Sequence, residues 1–327
     1  MRNAVYTGLF LITLVSLFAS SCVGKPPVNT PTNTPIPMTT TYTPTTQTLT
    51  KIPTPTPTPN QTHTPAQTAQ PSTTTQPTAF SPTLPQTTDR NIVIDHTNWD
   101  WYNSQSQQVI YRVAMQKVFF AHASIGSNIM QGFADLNSAD ALKYPLAQIS
   151  SGAIPPATTM NGTIFEYPRG NPGWSAKVSS FETYVTNGWH YPKINIAMNK
   201  LCAVDQDADW VAYCNSIAGL EIANPTTKFV YFTMPYYATS DYGNVLRNQY
   251  NQSMRNWIAT QSNKIFFDIA DIEAWSPTAV HQTFIVRGMT YEKLYSGYSS
   301  DGVHLNIDGR KRMATGLYSL FGKIISN

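Results

Sequence analysis

The chain has 327 residues, only 12% of them charged, with 24 Pro and 3 Cys. Residues 23–88 hold 15 Pro and 24 Thr and only two charges, Lys25 and Lys51, so they carry too little apolar surface to offset the entropy of ordering them. Residues 89–327 carry 18 basic and 18 acidic side chains; the net +3 arises outside this folding part, and a nucleic-acid partner is excluded on electrostatic grounds.

The first element is an export signal over residues 1–22. Arg2 precedes the apolar run Leu9–Ala19, which is too short to span a bilayer but long enough for a signal-peptide core. Ala19-Ser20-Ser21-Cys22 resembles a bacterial lipobox, in which the cysteine is lipidated and becomes the new N-terminus. An ordinary signal peptide cleaved nearby is the alternative. The next segment, 23–88, contains Pro53-Thr54-Pro55-Thr56-Pro57 and similar repeats that favour extended polyproline II. It reads as a stalk that could reach roughly 200 Å at full extension. The expectation is an exported, surface-tethered domain over 89–327. With Cys22 lipidated, Cys202 and Cys214 remain. They either form a bridge, which can stabilise by up to about 3 kcal/mol, or stay as two buried thiols. No CxxC or HxxxH spacing occurs, so no metal site is expected.

Five apolar runs follow as predicted strands: Lys117–Ala121, Leu146–Ser150, Ile194–Met198, Phe229–Met234 and Lys264–Asp268. Their near-continuous β-branched and aromatic character suits strands buried on both faces. Helical spacing predicts helices over Ile125–Leu136, Tyr242–Thr260 and Ile307–Ile325. Strands alternating with helices predict an α/β fold with a parallel, doubly wound sheet. Ligands then bind beyond the carboxyl ends of the strands.

Chemistry is expected at two places. The first predicted strand runs into His122-Ala123-Ser124-Ile125-Gly126 and then a helix. A serine at that turn is either a helix N-cap or a nucleophile beside backbone N–H groups able to stabilise an oxyanion. Ser300-Asp301-Gly302-Val303-His304-Leu305-Asn306 precedes the last helix. An Asp three residues before a His can hold the imidazole from behind and leave its other nitrogen facing a nucleophile. Neither block is specific alone; the pair is.

These two blocks, HASIGSNI and SDGVHLNIDG, resemble those of the SGNH (GDSL-type) hydrolase superfamily, over roughly residues 110–327. The resemblance implies a three-layer α/β/α, flavodoxin-like sandwich with a five-stranded parallel sheet. It implies Ser124 as nucleophile, with Asp301 and His304 completing the triad. The first block reads His-Ala-Ser-Ile instead of Gly-Asp-Ser-Leu; the Asp of that motif is not the catalytic acid. The widely separated Asp and His of α/β-hydrolases fit this sequence less well. The resemblance also implies a Gly and an Asn as oxyanion donors. The Gly is expected at Gly173, with Gly170 as rival or a plain turn as the alternative. The Asn is expected at Asn199, although Ala197 and Lys200 replace the usual Gly and Asp around it, and a polar strand end is the alternative.

Other residues read as structural. His122 is expected to pack or hydrogen-bond at its turn, and His96, His190 and His281 show no ligand spacing. The tryptophans are expected mostly in the core, with Trp174 also placed beside the candidate oxyanion glycine. Arg310-Lys311-Arg312 reads as a solvated helix face. Together these features predict a monomeric serine esterase, with a lipase, thioesterase or acyltransferase left open within the same class, without metal or other cofactor, that acts on a small-molecule or polysaccharide ester and is held to the membrane by its N-terminal lipid. Acetyl groups on extracellular carbohydrate fit that setting. The alternative is a non-catalytic carbohydrate-binding or adhesion lipoprotein on the same fold.

Overall fold

The structure, a computed structural model, describes residues 90–150, 161–188 and 194–327. The export signal, Cys22, the linker 23–88, Trp189 and His190 lie outside the described residues.

In chain order the elements are β1 (Ile92–Ile94), α1 (Gln107–Val113), β2 (Lys117–His122), α2 (Ile125–Ala139), β3 (Ala147–Ser150), β4 (Thr163–Pro168), α3 (Trp174–Gly188), β5 (Ile196–Asn199), α4 (Trp210–Ala223), β6 (Lys228–Phe232), α5 (Tyr242–Ala259), β7 (Ile265–Phe267), α6 (Ile269–Ala274), a hairpin of β8 (Thr283–Val286) and β9 (Met289–Glu292), and α7 (Ile307–Ser326). Strands β1 to β7 form one sheet in the order β1-β7-β6-β5-β2-β4-β3, with every pairing parallel. The fold is therefore the expected α/β class, with helices on both faces. The sheet has seven strands where the family resemblance implied five. All five predicted strands are in it, joined by β1 and β4.

Alternation along the strands builds two cores. Phe120 and Met198 face one way and pack with Ile129, Phe133, Met313 and Leu317 from α2 and α7. Phe119 and Ala197 face the other way and pack with Phe181, Ile217 and Met254 from α3, α4 and α5. Each large apolar side chain so buried contributes about 1.5–3 kcal/mol, which is why the strands read as unbroken apolar runs.

One expectation is corrected here, the solvated face at Arg310–Arg312, and one open alternative, the state of Cys202 and Cys214, is decided. The described tryptophans, Trp99, Trp101, Trp174, Trp210, Trp257 and Trp275, are half-buried, and four of them, Trp99, Trp174, Trp210 and Trp257, pack against the two cores. Arg310–Arg312 is not a solvated face. The Arg310 fork donates to Asp135 at 2.6 and 3.1 Å and to Gln131, while Arg312 is buried with its guanidinium 4.2 Å over the Trp99 ring. Cys202 and Cys214 form no bridge. Both thiols are free and buried; Cys202 Sγ donates to the Ala123 carbonyl at 3.5 Å, and Cys214 Sγ lies 3.4 Å from Met254 Sδ. Burial pushes the Cys214 thiol up to about 12.

Among the described residues no helix is long and apolar enough to cross a membrane.

Candidate active site

From β2 the chain moves to β3 and β4 on one side, then returns to β5 and β6 on the other. The carboxyl ends of β2 and β5 therefore flank the topological switch point, where doubly wound sheets bind ligands. Ser124 and Asn199 both lie there. Ala121 pairs with Asn199 across the ladder, three residues before Ser124.

Only Ala123 and Ser124 separate β2 from α2. So tight a turn forces Ser124 to φ 51° and ψ −111°, a conformation that side-chain-bearing residues rarely adopt. Ser124 occupies the N-cap position of α2, yet its side chain makes no capping bond. Its Oγ lies 2.9 Å from His304 Nε2 instead. The side-chain N-cap reading is therefore not met, because an N-cap serine turns its oxygen toward the helix N–H groups.

His304 Nδ1 lies 2.7 Å from Asp301 Oδ2. The other carboxylate oxygen accepts from the backbone N–H groups of Val303 and His304 at 2.9 and 2.7 Å, and from the Ser299 hydroxyl. The His304 hydrogen bond and these donors hold the Asp301 carboxyl well below its ordinary range. Gly302 permits the turn at φ 81°; its carbonyl accepts from Ala238 N–H at 2.8 Å. Leu305 N–H donates to Asn128 Oδ1 on α2, tying the His304 loop to the helix that begins at Ser124. The three predicted triad residues are thus brought into one hydrogen-bonded line, in a half-exposed position: Asp301 and His304 side chains are 53% and 48% accessible.

Gly173 follows β4, a strand missing from the sequence reading. Since β4 pairs directly with β2, it brings the loop Arg169–Gly173 to the strand beside Ser124, closer than the predicted second strand at the sheet edge could. Gly170 and Gly173 both adopt positive φ, 70° and 95°, with open space where a Cβ would project. Their conformations do not separate the two candidates.

Asn199 is fully buried, and neither atom of its amide has a hydrogen-bond partner among the described residues. Its backbone carbonyl accepts from the Tyr213 hydroxyl at 2.7 Å. A buried amide left unpaired costs free energy; with both amide atoms shielded, the structure does not separate an oxyanion donor from a polar strand end. His122 packs as expected. It is fully buried under α2, its ring centroid is 4.7 Å from that of Phe120, and its Nε2 is 3.3 Å from Glu166 Oε1. Burial lowers its pKa against the pull of Glu166.

Sequence reasoning missed the ionic layer beneath this edge. Lys177, Lys200, Asp205 and Glu273 are all buried. Burial draws the nearby Arg169 guanidinium down to about 10 and pushes the Glu273 carboxyl up to about 8. The only signal in the sequence was a charged residue in or beside each apolar stretch.

One group of potential metal ligands exists among the described residues. Asp95, His96 and Asp271 bring their ligand atoms within 4.8 Å of one another, but His96 Nδ1 and N–H are both engaged by Asp271. This group lies beyond β1, at the far edge of the sheet from Ser124.

No family model matches the chain, and no curated protein does. Among solved structures, it is similar to a proposed acylhydrolase from Bacteroides fragilis, with 14% identity over 69% of this chain and 99% of that one, at a TM-score of 0.41. It is also similar to a proposed platelet activating factor from Streptococcus pneumonia (13% identity, 68% and 94%, 0.37). A third is a Clostridium thermocellum family 3 carbohydrate esterase (13% identity, 62% and 94%, 0.34).

Proposed function

We propose that this protein is an exported serine esterase of SGNH type, tethered through Cys22 and acting on acyl esters of extracellular carbohydrate. The observation that carries the reading is the Ser124–His304–Asp301 line, with Ser124 turned away from its helix and toward His304.

In this reading His304 Nε2 takes the hydroxyl proton as Ser124 Oγ attacks the ester carbonyl, and Asp301 accepts from Nδ1–H and stabilises the imidazolium. The tetrahedral intermediate collapses, and the alcohol leaves with the proton from His304. Water then attacks the acyl-enzyme, His304 takes its proton, and collapse returns that proton to Ser124 as the acid departs. The Ser124 N–H, the Gly173 N–H and the Asn199 amide are assigned to the developing oxyanion, where preorganised donors act most strongly. The Asn199 amide has no partner among the described residues, so its donor capacity is unused.

The test is hydrolysis of p-nitrophenyl acetate and of acetylated glycans by the full chain. Ser124→Ala and His304→Ala are each expected to lower kcat by about 10³-fold or more with the fold intact. Hydrolysis that survives Ser124→Ala overturns the assignment. No hydrolysis of any ester leaves the binding or adhesion module. Mass spectrometry of the mature N-terminus checks the anchor: a start elsewhere, without lipid on Cys22, removes it.

A further inference from the structure

Lys177 is a lysine with no access to solvent, in the first turn of α3, and its partner Asp205 is 2% exposed. Its Nζ donates to Asp205 Oδ2 at 2.5 Å and to Asn171 Oδ1 at 2.9 Å. Its backbone N–H donates to the Gly173 carbonyl at 3.1 Å, and its own carbonyl accepts from Arg169 Nη1 at 2.9 Å. The Lys177 backbone thus holds Arg169 and Gly173, and its ammonium, fixed by Asp205, holds Asn171 between them. Asp205 carries the chain of contacts onward. Its Oδ2 also accepts from Cys202 N–H at 2.7 Å, and Cys202 Sγ reaches the Ala123 carbonyl, one residue before Ser124. A second route runs through Arg169, whose Nη2 donates to the Lys200 carbonyl at 3.0 Å, while Lys200 N–H donates to the Ala121 carbonyl at 3.1 Å.

The loop needs such support. Residues 170–173 are exposed, and its two glycines offer no side chain to pack. A buried ion pair adds little net stability over an apolar pair of the same volume. What it does supply is direction at both ends.

We propose that the Lys177–Asp205 pair is a positioning clamp: it fixes the Arg169–Gly173 loop against the turn that carries Ser124, so that a glycine N–H of the loop meets the oxyanion. This rests on the esterase reading above. Oxyanion donors must sit within a few tenths of an ångström of their target, and a displacement of about 1 Å can cost about 10²-fold in rate.

The experiment uses the full chain and p-nitrophenyl acetate, with active-site titration to count competent molecules. The double variant Lys177→Met/Asp205→Leu removes both charges and leaves neither buried alone. It is expected to stay folded, to hold KM within about 3-fold, and to lose about 10²-fold in kcat per titrated site. Asn171→Ala keeps the ion pair and releases only the exposed loop end, so it tests the clamp even where the double variant does not fold; it is expected to lose about 10-fold in kcat with KM unchanged. Wild-type kcat per site in Asn171→Ala, or in a folded double variant, overturns the clamp. Ser124→Ala run beside them separates the two failures. If turnover depends on Ser124 and the variants match wild type, the clamp alone falls. If turnover does not depend on Ser124, the esterase reading falls and takes the clamp with it.

Discussion

A backbone at φ 51° and ψ −111° costs a residue with a Cβ about 1–3 kcal/mol, whereas glycine bears it freely. Ser124 is held there by its neighbours: Gly126 N–H donates to the Ala123 carbonyl, and Ser127 N–H to that of Ser124. Ser124→Gly is therefore expected to unfold at higher urea than Ser124→Ala, by about 1 kcal/mol, although both lack the hydroxyl; equal midpoints would show that the turn is unstrained. At this scale much of the site was legible. Asp301 and His304 are three residues apart, so a local turn is enough to join them, and their motif can be read in the chain. Ser124 was legible as a turn residue but not as uncapped, because the direction of a hydroxyl depends on a histidine 180 residues away. Lys177 and Asp205 could not be paired from sequence. A lysine in the first turn of a helix ordinarily reads as solvated, and only the packing of α3 against the loop after β5 buries it.

Ser124 opens α2 and His304 lies three residues before α7, so the packing of those two helices sets the distance between the Ser124 hydroxyl and the His304 imidazole. They cross closely at Gly132, where a Cβ would come 2.2 Å from the Arg310 carbonyl oxygen. Backbone cannot move aside as a flexible side chain can. Gly132→Ala is expected to destabilise the fold by about 1–3 kcal/mol and to lower kcat in the molecules that remain folded, because α7 must shift on α2. Denaturant titration and kinetics on p-nitrophenyl acetate check both; a variant with wild-type stability and rate would show that the crossing has slack. The predicted strands and the three strongly periodic helices recur within a few residues of their expected bounds. What escaped was short or broken by polar residues. β1 has three residues. β4 carries Glu166 and Pro168 in the run Thr-Ile-Phe-Glu-Tyr-Pro, so it lacks the unbroken apolar signature. α4 mixes apolar residues around its whole circumference, as its run from Trp210 to Ala223 shows, and no single stripe announces it.

The whole molecule keeps ionisable groups in its interior, and this makes stability depend on pH. Glu273 has no access to solvent, and its Oε2 accepts from Tyr236 N–H at 2.9 Å. Burial raises its pKa from 4.5 to about 8 in the folded state. The folded protein then holds a proton that the unfolded chain releases, so stability falls as pH rises from about 4.5 to about 8. Glu273→Gln keeps an acceptor for Tyr236 N–H and removes the titration. Its melting temperature is expected to match wild type near pH 5 and to exceed it near pH 9; parallel melting curves at the two pH values would refute the assignment. The chain order of the triad has a further consequence, one of timing. Ser124 precedes its base by 180 residues, and α7, which follows His304, packs against α1, α2 and β1 in the central core. A chain made from its N-terminus presents the serine turn long before the imidazole exists to meet it. The Ser124–His304–Asp301 line can therefore close only after nearly the whole chain has been made.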